Sequence, residues 1–431
     1  PTDPASNAYA HPLEGLFGLV DLDSGELIQF EDRDPVPLPP DDGEYRAERI
    51  ELRDDVRPIH IHQPEGPSFE VDGYRVRWQK WDLRIGFNSR EGLVLHDLAY
   101  EDGGERRSIL RRASIAEMVV PYADPDRFYQ SPLDIGELNV GTMTNSLTLG
   151  CDCLGAIHYF DVATVAADGS AVTIPQAICM HEEDYGILWK HVDPDGHVEV
   201  RRNRRFVASF IVTVDNYEYA FYWYFYQDGA IEFECKLTGI VLTGGVEPGK
   251  PVRYGTEVAP GVFAPNHQHI FSARLDMDID GGPNSVVEVD SIAPPWGPDN
   301  PYGGAFEIQE TVLASESAAQ RDIDPAHSRY WKVINPTKTN RMGKPVGYKL
   351  IPTHPTVPLA LPDSSIGKRA TFMYHQLWVT PYNAEERYPA GEYPYQHPGG
   401  AGLPAWTAAD RPVADTDVVL WHQFGTNHIP R

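Results

Sequence analysis

Long apolar runs are missing from this chain. No stretch approaches the roughly 20 apolar residues that a membrane helix needs, and no charged start followed by a short apolar block marks a secretory leader. Cysteine is scarce, with 4 in 431 residues: Cys151, Cys153, Cys179 and Cys235. Cys151-x-Cys153 has no second close thiol pair and makes a poor zinc knuckle. Positive charge is the third shortage, since Lys+Arg number 36 against 63 Asp+Glu, for a net charge of -27. Such a balance argues against nucleic acid or anionic membrane as partner. It would draw in a cationic substrate, although the same charge also serves solubility alone. Helical periodicity is scarce, and internal repeats and low-complexity segments are absent. The chain starts at Pro1 and stops at Arg431 as a fragment would. It reads as soluble, and its native targeting is not legible.

What is present is strand pattern. Tyr74 to Trp81, Leu93 to Tyr100, Ile157 to Val165, Ala171 to Ile174 and Val198 to Arg201 are short apolar alternations separated by turns. With 38 Pro and 37 Gly to make loops, this predicts an all-β chain organised as a large β-sandwich. The one helical expectation is Glu316 to Asp322. Residues 1–40 include Leu16 to Val20, Gly25-Glu26-Leu27-Ile28 and a proline passage at Pro35, Pro37, Pro39 and Pro40. That composition reads as the tail of a preceding small domain and a linker, with 41–431 as the sandwich.

One of the most aromatic runs, Tyr219 to Tyr226, follows Thr213, Val214, Asp215, Asn216, Tyr217 and Glu218. Phe206 to Thr213 and Tyr219 to Gln227 read as strands, with Asp215 and Asn216 as turn formers. Asp228-Gly229 then makes a hairpin into Ile231 to Leu237, where Ile231, Phe233, Cys235 and Leu237 alternate with polar residues. On these residues alone Tyr217 is a core tyrosine at a strand edge. Farther on, His267 and His269 are an i, i+2 pair, which an extended backbone points to one face. Two imidazoles on one side of a strand suit copper or zinc. The spacing alone is weak, because His60-Ile61-His62 repeats it. The chain ends in His428, Ile429, Pro430 and Arg431.

Taken together these motifs resemble the topaquinone-dependent copper amine oxidases, and most of all the bacterial phenylethylamine and histamine oxidases. The family's signature, Thr-x-x-Asn-Tyr-(Asp/Glu), is matched by Thr213, Asn216, Tyr217 and Glu218. A His-x-His pair about fifty residues later is matched by His267 and His269, and a third ligand before an apolar-Pro-Arg sequence by His428. The likeness runs through most of the chain, including Cys151-Asp152-Cys153-Leu154-Gly155 and Met180-His181-Glu182-Glu183-Asp184.

The resemblance implies copper(II) held by His267, His269 and His428, and a topaquinone formed from Tyr217. A primary amine reacts poorly with O2, and no ordinary side chain is a two-electron acceptor, so the quinone supplies one. Asp134, ahead of Gly136-Glu137, stands where the family keeps its catalytic base. It would take the α-proton of the bound amine, a contribution of about 100- to 10000-fold. The products would be an aldehyde, ammonia and hydrogen peroxide. Tyr122 matches a tyrosine that bonds the cofactor's oxygen, Asn216 one that restrains its rotation, and Tyr219 a pocket residue. Pro132 stands in place of an aromatic gate, and an aromatic near Tyr9 belongs to the substrate funnel. Residues 1–40 become the remnant of a small α/β domain. Arg274-Leu275-Asp276-Met277-Asp278-Ile279-Asp280 offers alternating acids suited to a hard cation such as calcium. The resemblance assigns a second metal there to Asp276, Met277, Asp417 and Val418. It also joins Cys153 to Cys179, a disulfide closing a loop of about 25 residues and stabilising by roughly 3 kcal/mol. The partners implied are a small primary amine, O2 and a second copy of the chain in a homodimer. Cytoplasmic location is favoured, with secretion as the alternative. The competing reading is a copper-binding β-sandwich without catalysis, in which Tyr217 stays unmodified.

Overall fold

The computed structural model describes residues 6–33, 36–125 and 132–431. Pro35 and Ser131 lie outside them.

Two antiparallel sheets carry the architecture. The larger, of eight strands, begins as a local meander: Phe69–Asp72, Arg75–Trp78, Trp81–Asn88, Gly92–Asp102 and Glu105–Val119. It is then completed by strands from far along the chain, His267–Met277, Val418–His428 and Leu377–Pro381 in that order. The smaller, of five strands, runs Ile231–Gly239, Tyr217–Tyr226, Val198–Val214, Ala171–Val192 and His158–Val165. Further sheets of four, three and two strands flank these.

The sheets face one another through aromatic side chains. Trp81 meets Phe225 at a centroid distance of 5.3 Å, Trp78 meets Phe206 at 6.1 Å, and Phe221 meets Phe271 at 6.1 Å. Offset and edge contacts of this kind add about 0.5–1.5 kcal/mol each beyond area burial. Both buried indoles keep a partner, Trp78 donating to Glu182 at 2.9 Å and Trp81 to the Tyr226 carbonyl at 2.8 Å. The expected β-sandwich is therefore present, and the strand Tyr217–Tyr226, buried along nearly its whole length, is second in the five-stranded sheet.

Some expectations need correction. Residues 316–319 form a turn and Arg321 an isolated bridge to Leu377, so the helix expected over Glu316 to Asp322 is not there. Glu316 is fully buried because its carboxylate pairs with Arg411, a contact that a helical register does not provide for. Leu237 does not complete the inward face of its strand and is 37% exposed. Cys153 and Cys179 stand as unbonded thiols in this structure, neighbours in one buried cluster with Leu147. In residues 6–40 the described part holds one short 3-10 turn, Ala8–Ala10, and two paired strands, Leu16–Val20 and Leu27–Asp32, which leaves the reading of this piece as the tail of a small domain as it stood.

Candidate active site and metal centre

The signature residues form a two-residue hairpin. Val214 pairs with Tyr217, and between them Asp215 takes a left-handed backbone at φ 54°, a conformation that Asn and Asp tolerate better than most residues. Thr213 lies directly across from Glu218 and donates to its carboxylate at 2.9 Å, which Asn145 also reaches at 3.1 Å. The Thr and Glu of the signature thus brace the base of the turn. Asn216 is pinned to Ile240 in both directions, side-chain amide to carbonyl and N–H to carbonyl, each at 2.7 Å. Gly239 pairs with Tyr217 on the neighbouring strand, and a Cβ there would stand 2.7 Å from the Asn216 oxygen and the Glu218 nitrogen. The close approach requires glycine.

These restraints aim a buried phenol, 6% exposed, at the other sheet. The Tyr217 hydroxyl accepts from the Leu242 N–H at 3.2 Å, lies 3.0 Å from Nε2 of His267, and hydrogen-bonds Tyr122. Tyr122 pairs with His267 through an isolated bridge, with ring centroids 4.8 Å apart.

The two neighbouring strands of the larger sheet bring the imidazoles together. His267 and His428 are register partners, and the two-residue spacing puts His269 on the same face. The candidate ligand atoms of all three lie within 4.8 Å of one another. Nδ1 of His267 faces the Pro265 carbonyl at 2.9 Å. A carbonyl only accepts, so that nitrogen carries the proton and Nε2 carries the lone pair. On this one lone pair converge the Tyr217 hydroxyl and Nδ1 of His428, each at 3.0 Å. Nδ1 of His269 meets the Tyr219 hydroxyl at 3.1 Å, while its Nε2 is buried without a partner. Burial pushes the basicity of all three imidazoles down, His267 to about 4 and His269 well below its usual range. They are neutral at pH 7, the form that binds metal. A neutral three-nitrogen set with an orphaned buried donor fits copper. His60 and His62 are exposed and stand outside this cluster.

Asp134 opens the short helix Asp134–Leu138. It is 2% exposed, and among the described residues its Oδ1 has no hydrogen-bond partner. Burial, then the charges of Glu117 and Glu137, raise its carboxyl to about 8. Asp134 in turn pushes up the phenols of Tyr122 and Tyr219, where burial is the larger cause. Asp134, Tyr122, Tyr217 and Tyr219 therefore share one electrostatic neighbourhood. Tyr219 is fully buried, and its hydroxyl serves His269.

At the far end of the same strand pair, Asp276 lies across from Val419, next to Val418 and Asp417. Asp276 and Asp417 each have a buried Oδ1 without a partner. Burial is the main cause that lifts Asp276 to about 6, and Asp417 adds to it. Asp278 is tied instead to Ser108 and Arg111. Residue reading missed Glu117, Asn145 and Gly239. Only Gly239, a glycine closing an otherwise regular strand, carried any signal.

Residues 70–431 match the family described as copper amine oxidase, enzyme domain. The chain is 52% identical to the histamine oxidase of Arthrobacter globiformis, over 99% of this chain and 63% of that protein. It is 47% identical to the primary amine oxidase of Arthrobacter sp. (strain P1), over 98% of this chain and 66% of that protein. The crystal structure of a copper-containing benzylamine oxidase from Hansenula polymorpha superposes with a TM-score of 0.92 at 35% identity, covering 100% of this chain and 69% of that one. The chain thus spans less than two thirds of the length of these two curated relatives, at 63% and 66%. The family implies copper and topaquinone, and the three-histidine cluster is consistent with a copper site. With the signature hairpin, the converging imidazoles and a family match over residues 70–431 in agreement, this chain belongs to the copper amine oxidase family.

Proposed function

We propose that this chain is the catalytic part of an O2-dependent primary-amine oxidase that yields aldehyde, ammonia and hydrogen peroxide. The observation that carries this reading is the Tyr217 hydroxyl 3.0 Å from Nε2 of His267 inside the three-imidazole cluster. Copper at His267, His269 and His428, with Tyr217 oxidised to its quinone, would supply the two-electron acceptor that amine oxidation requires. Tyr122 orients that ring through its hydroxyl, and Asn216 holds the turn from which the ring projects. Asp134 takes the proton from the α-carbon of the bound amine. Its burial excludes water and gives it an affinity for protons suited to a base working near neutrality. The net charge of -27 favours approach of a cationic amine.

The same reading extends to a second, hard-cation site at Asp276, Asp417 and the backbone oxygens of Met277 and Val418. The two unpartnered carboxylate oxygens support it. It also extends to a homodimer and to a division near residue 40. Across that division burial and then the charge of Asp215 in the signature turn raise the Tyr9 phenol, and Glu14 accepts from the Gly245 N–H at 2.9 Å. Among the described residues no helix is long and apolar enough to cross a membrane.

Copper-loaded, aerated protein should turn pink, react with phenylhydrazine and release peroxide with a primary amine. Tyr217→Phe should keep copper and lose all three properties. Protein that binds copper, stays colourless and ignores phenylhydrazine would instead be a non-catalytic copper-binding sandwich.

A further inference from the structure

The backbone around Asp134 is held unusually completely. The Leu133 N–H, before it, donates to Glu137 at 3.0 Å. The Ile135 and Gly136 N–H groups, after it, donate to Oε1 of Glu117 at 3.1 and 2.9 Å. Val120 N–H donates to the Pro132 carbonyl at 3.1 Å, and Val119 bridges Leu133. Glu117 comes from the strand Glu105–Val119, where it pairs with Ser272 of the strand that starts at His267. One residue thereby links the imidazole strand to the helix that begins at Asp134.

Glu117 is costly to keep. It is fully buried, and a buried carboxylate is tolerated only when it is hydrogen-bonded or paired. Its Oε1 is well served, also accepting the Met118 N–H at 3.1 Å. Among the described residues its Oε2 has no hydrogen bond, and Arg90 stands 3.9 Å away. A Cβ on Gly136 would fall 2.5 Å from that Oε2 and 2.9 Å from Nη2 of Arg90, so the helix docks against the carboxylate with only glycine between. If Glu117 served only to fasten a turn, an uncharged side chain would do so without the desolvation cost.

Resting on Asp134 as the base, we infer that Glu117 is a positioning residue for it: one oxygen fastens the backbone behind Asp134, and its buried charge governs how readily Asp134 holds a proton. The other charged and titratable groups facing this pair are Glu137 with its partners Arg369 and Tyr395, Arg90, and the phenols of Tyr122 and Tyr219. Glu137 is tied to Arg369, whereas among the described residues Glu117 has only Arg90 as a cationic partner, 3.9 Å away. Burial raises Glu117 to about 7, so above that pH it carries a charge that acts on Asp134 more strongly than Glu137 does. Two nearby carboxyls disfavour each other's ionised form.

The test measures anaerobic bleaching of the copper-loaded, quinone-bearing protein by phenylethylamine against pH, with the α,α-dideuterated amine identifying the proton-transfer step. Glu117→Gln keeps shape and removes charge. It should leave the phenylhydrazine titre unchanged and move the ascending limb of the rate to lower pH by about one unit. A limb that stays at the wild-type pH, whatever the plateau, overturns the inference. Should Glu117→Gln fail to fold, Glu117→Asp keeps the charge and withdraws from the backbone. The limb should then stay at the wild-type pH while the plateau falls, and a wild-type plateau overturns the positioning role. Wild-type protein that takes phenylhydrazine but is bleached by no amine overturns the functional reading itself, a separate result.

Discussion

One pair of strands, His267–Met277 and Val418–His428, presents a buried polar cluster at each end, and the two clusters solve burial differently. At the His267 end the groups are imidazoles, which shed their charge on burial and then need no counter-ion. What they lack is an electrophile, since one lone pair serves two neighbours and the Nε2 of His269 serves none. At the Asp276 end the groups are carboxylates, and arginines stand in for a cation: Arg274 lies 3.6 Å from Asp276, and Arg111 bridges Asp278 and Asp417. A metal at the first end fills an unmet need. At the second it must compete with guanidinium groups already in place.

The largest effect expected from that contrast is at the imidazole end. His269→Ala should lower copper affinity by more than about 100-fold, beyond what loss of an outer-shell partner produces, as read by metal analysis after dialysis. Next comes Asp134→Asn, which should slow bleaching of the quinone by amine by about 100- to 10000-fold while copper and the phenylhydrazine titre persist. The same variant makes a stability prediction. The folded-state value of Asp134, about 8, lies above its unfolded value, so the native state binds the extra proton. The stability this carries is complete at low pH and is lost as pH rises toward and through about 8. Asp134→Asn escapes that loss, and its melting temperature should exceed the wild type's by a margin that grows between about pH 5 and pH 9.

Tyr219→Phe removes the hydroxyl 3.1 Å from Nδ1 of His269 and should weaken copper about 10- to 100-fold, the range for outer-shell partners. Equilibrium competition with a chelator measures it. The smallest effect belongs to the carboxylate end: Asp276→Asn should leave copper binding and colour unchanged and reduce only the shift in melting temperature produced by added calcium. If Asp276→Asn cost as much copper as Tyr219→Phe, the two ends would be coupled through the strand pair.

Local pattern made some of this legible and hid the rest. The strands around Trp78, Leu95 and Phe225 each bury one face or both, so apolar alternation or an aromatic run betrays them. The hairpin Ala171–Val192 with Val198–Val214 was visible only in pieces, because Tyr185, Ile187, Trp189 and Val200 along its outer reach are exposed apolar residues that blur any alternation. Glu316 read as helical because its partner Arg411 lies far along the chain. Cys153 and Cys179 are buried neighbours, as the family pattern implies.

The order of residues alone determined the hairpin at Tyr217, the shared face of His267 and His269, and the acidic, strand-rich character of the chain. These follow from turn chemistry, two-residue periodicity and composition, all of which are local or additive. Tertiary structure alone decided that His428 is the register partner of His267, that Tyr219 serves His269, and that Glu117 stands behind Asp134. Those are pairings across the sheets, set by which distant strands bury one another's apolar faces, and no local pattern encodes them.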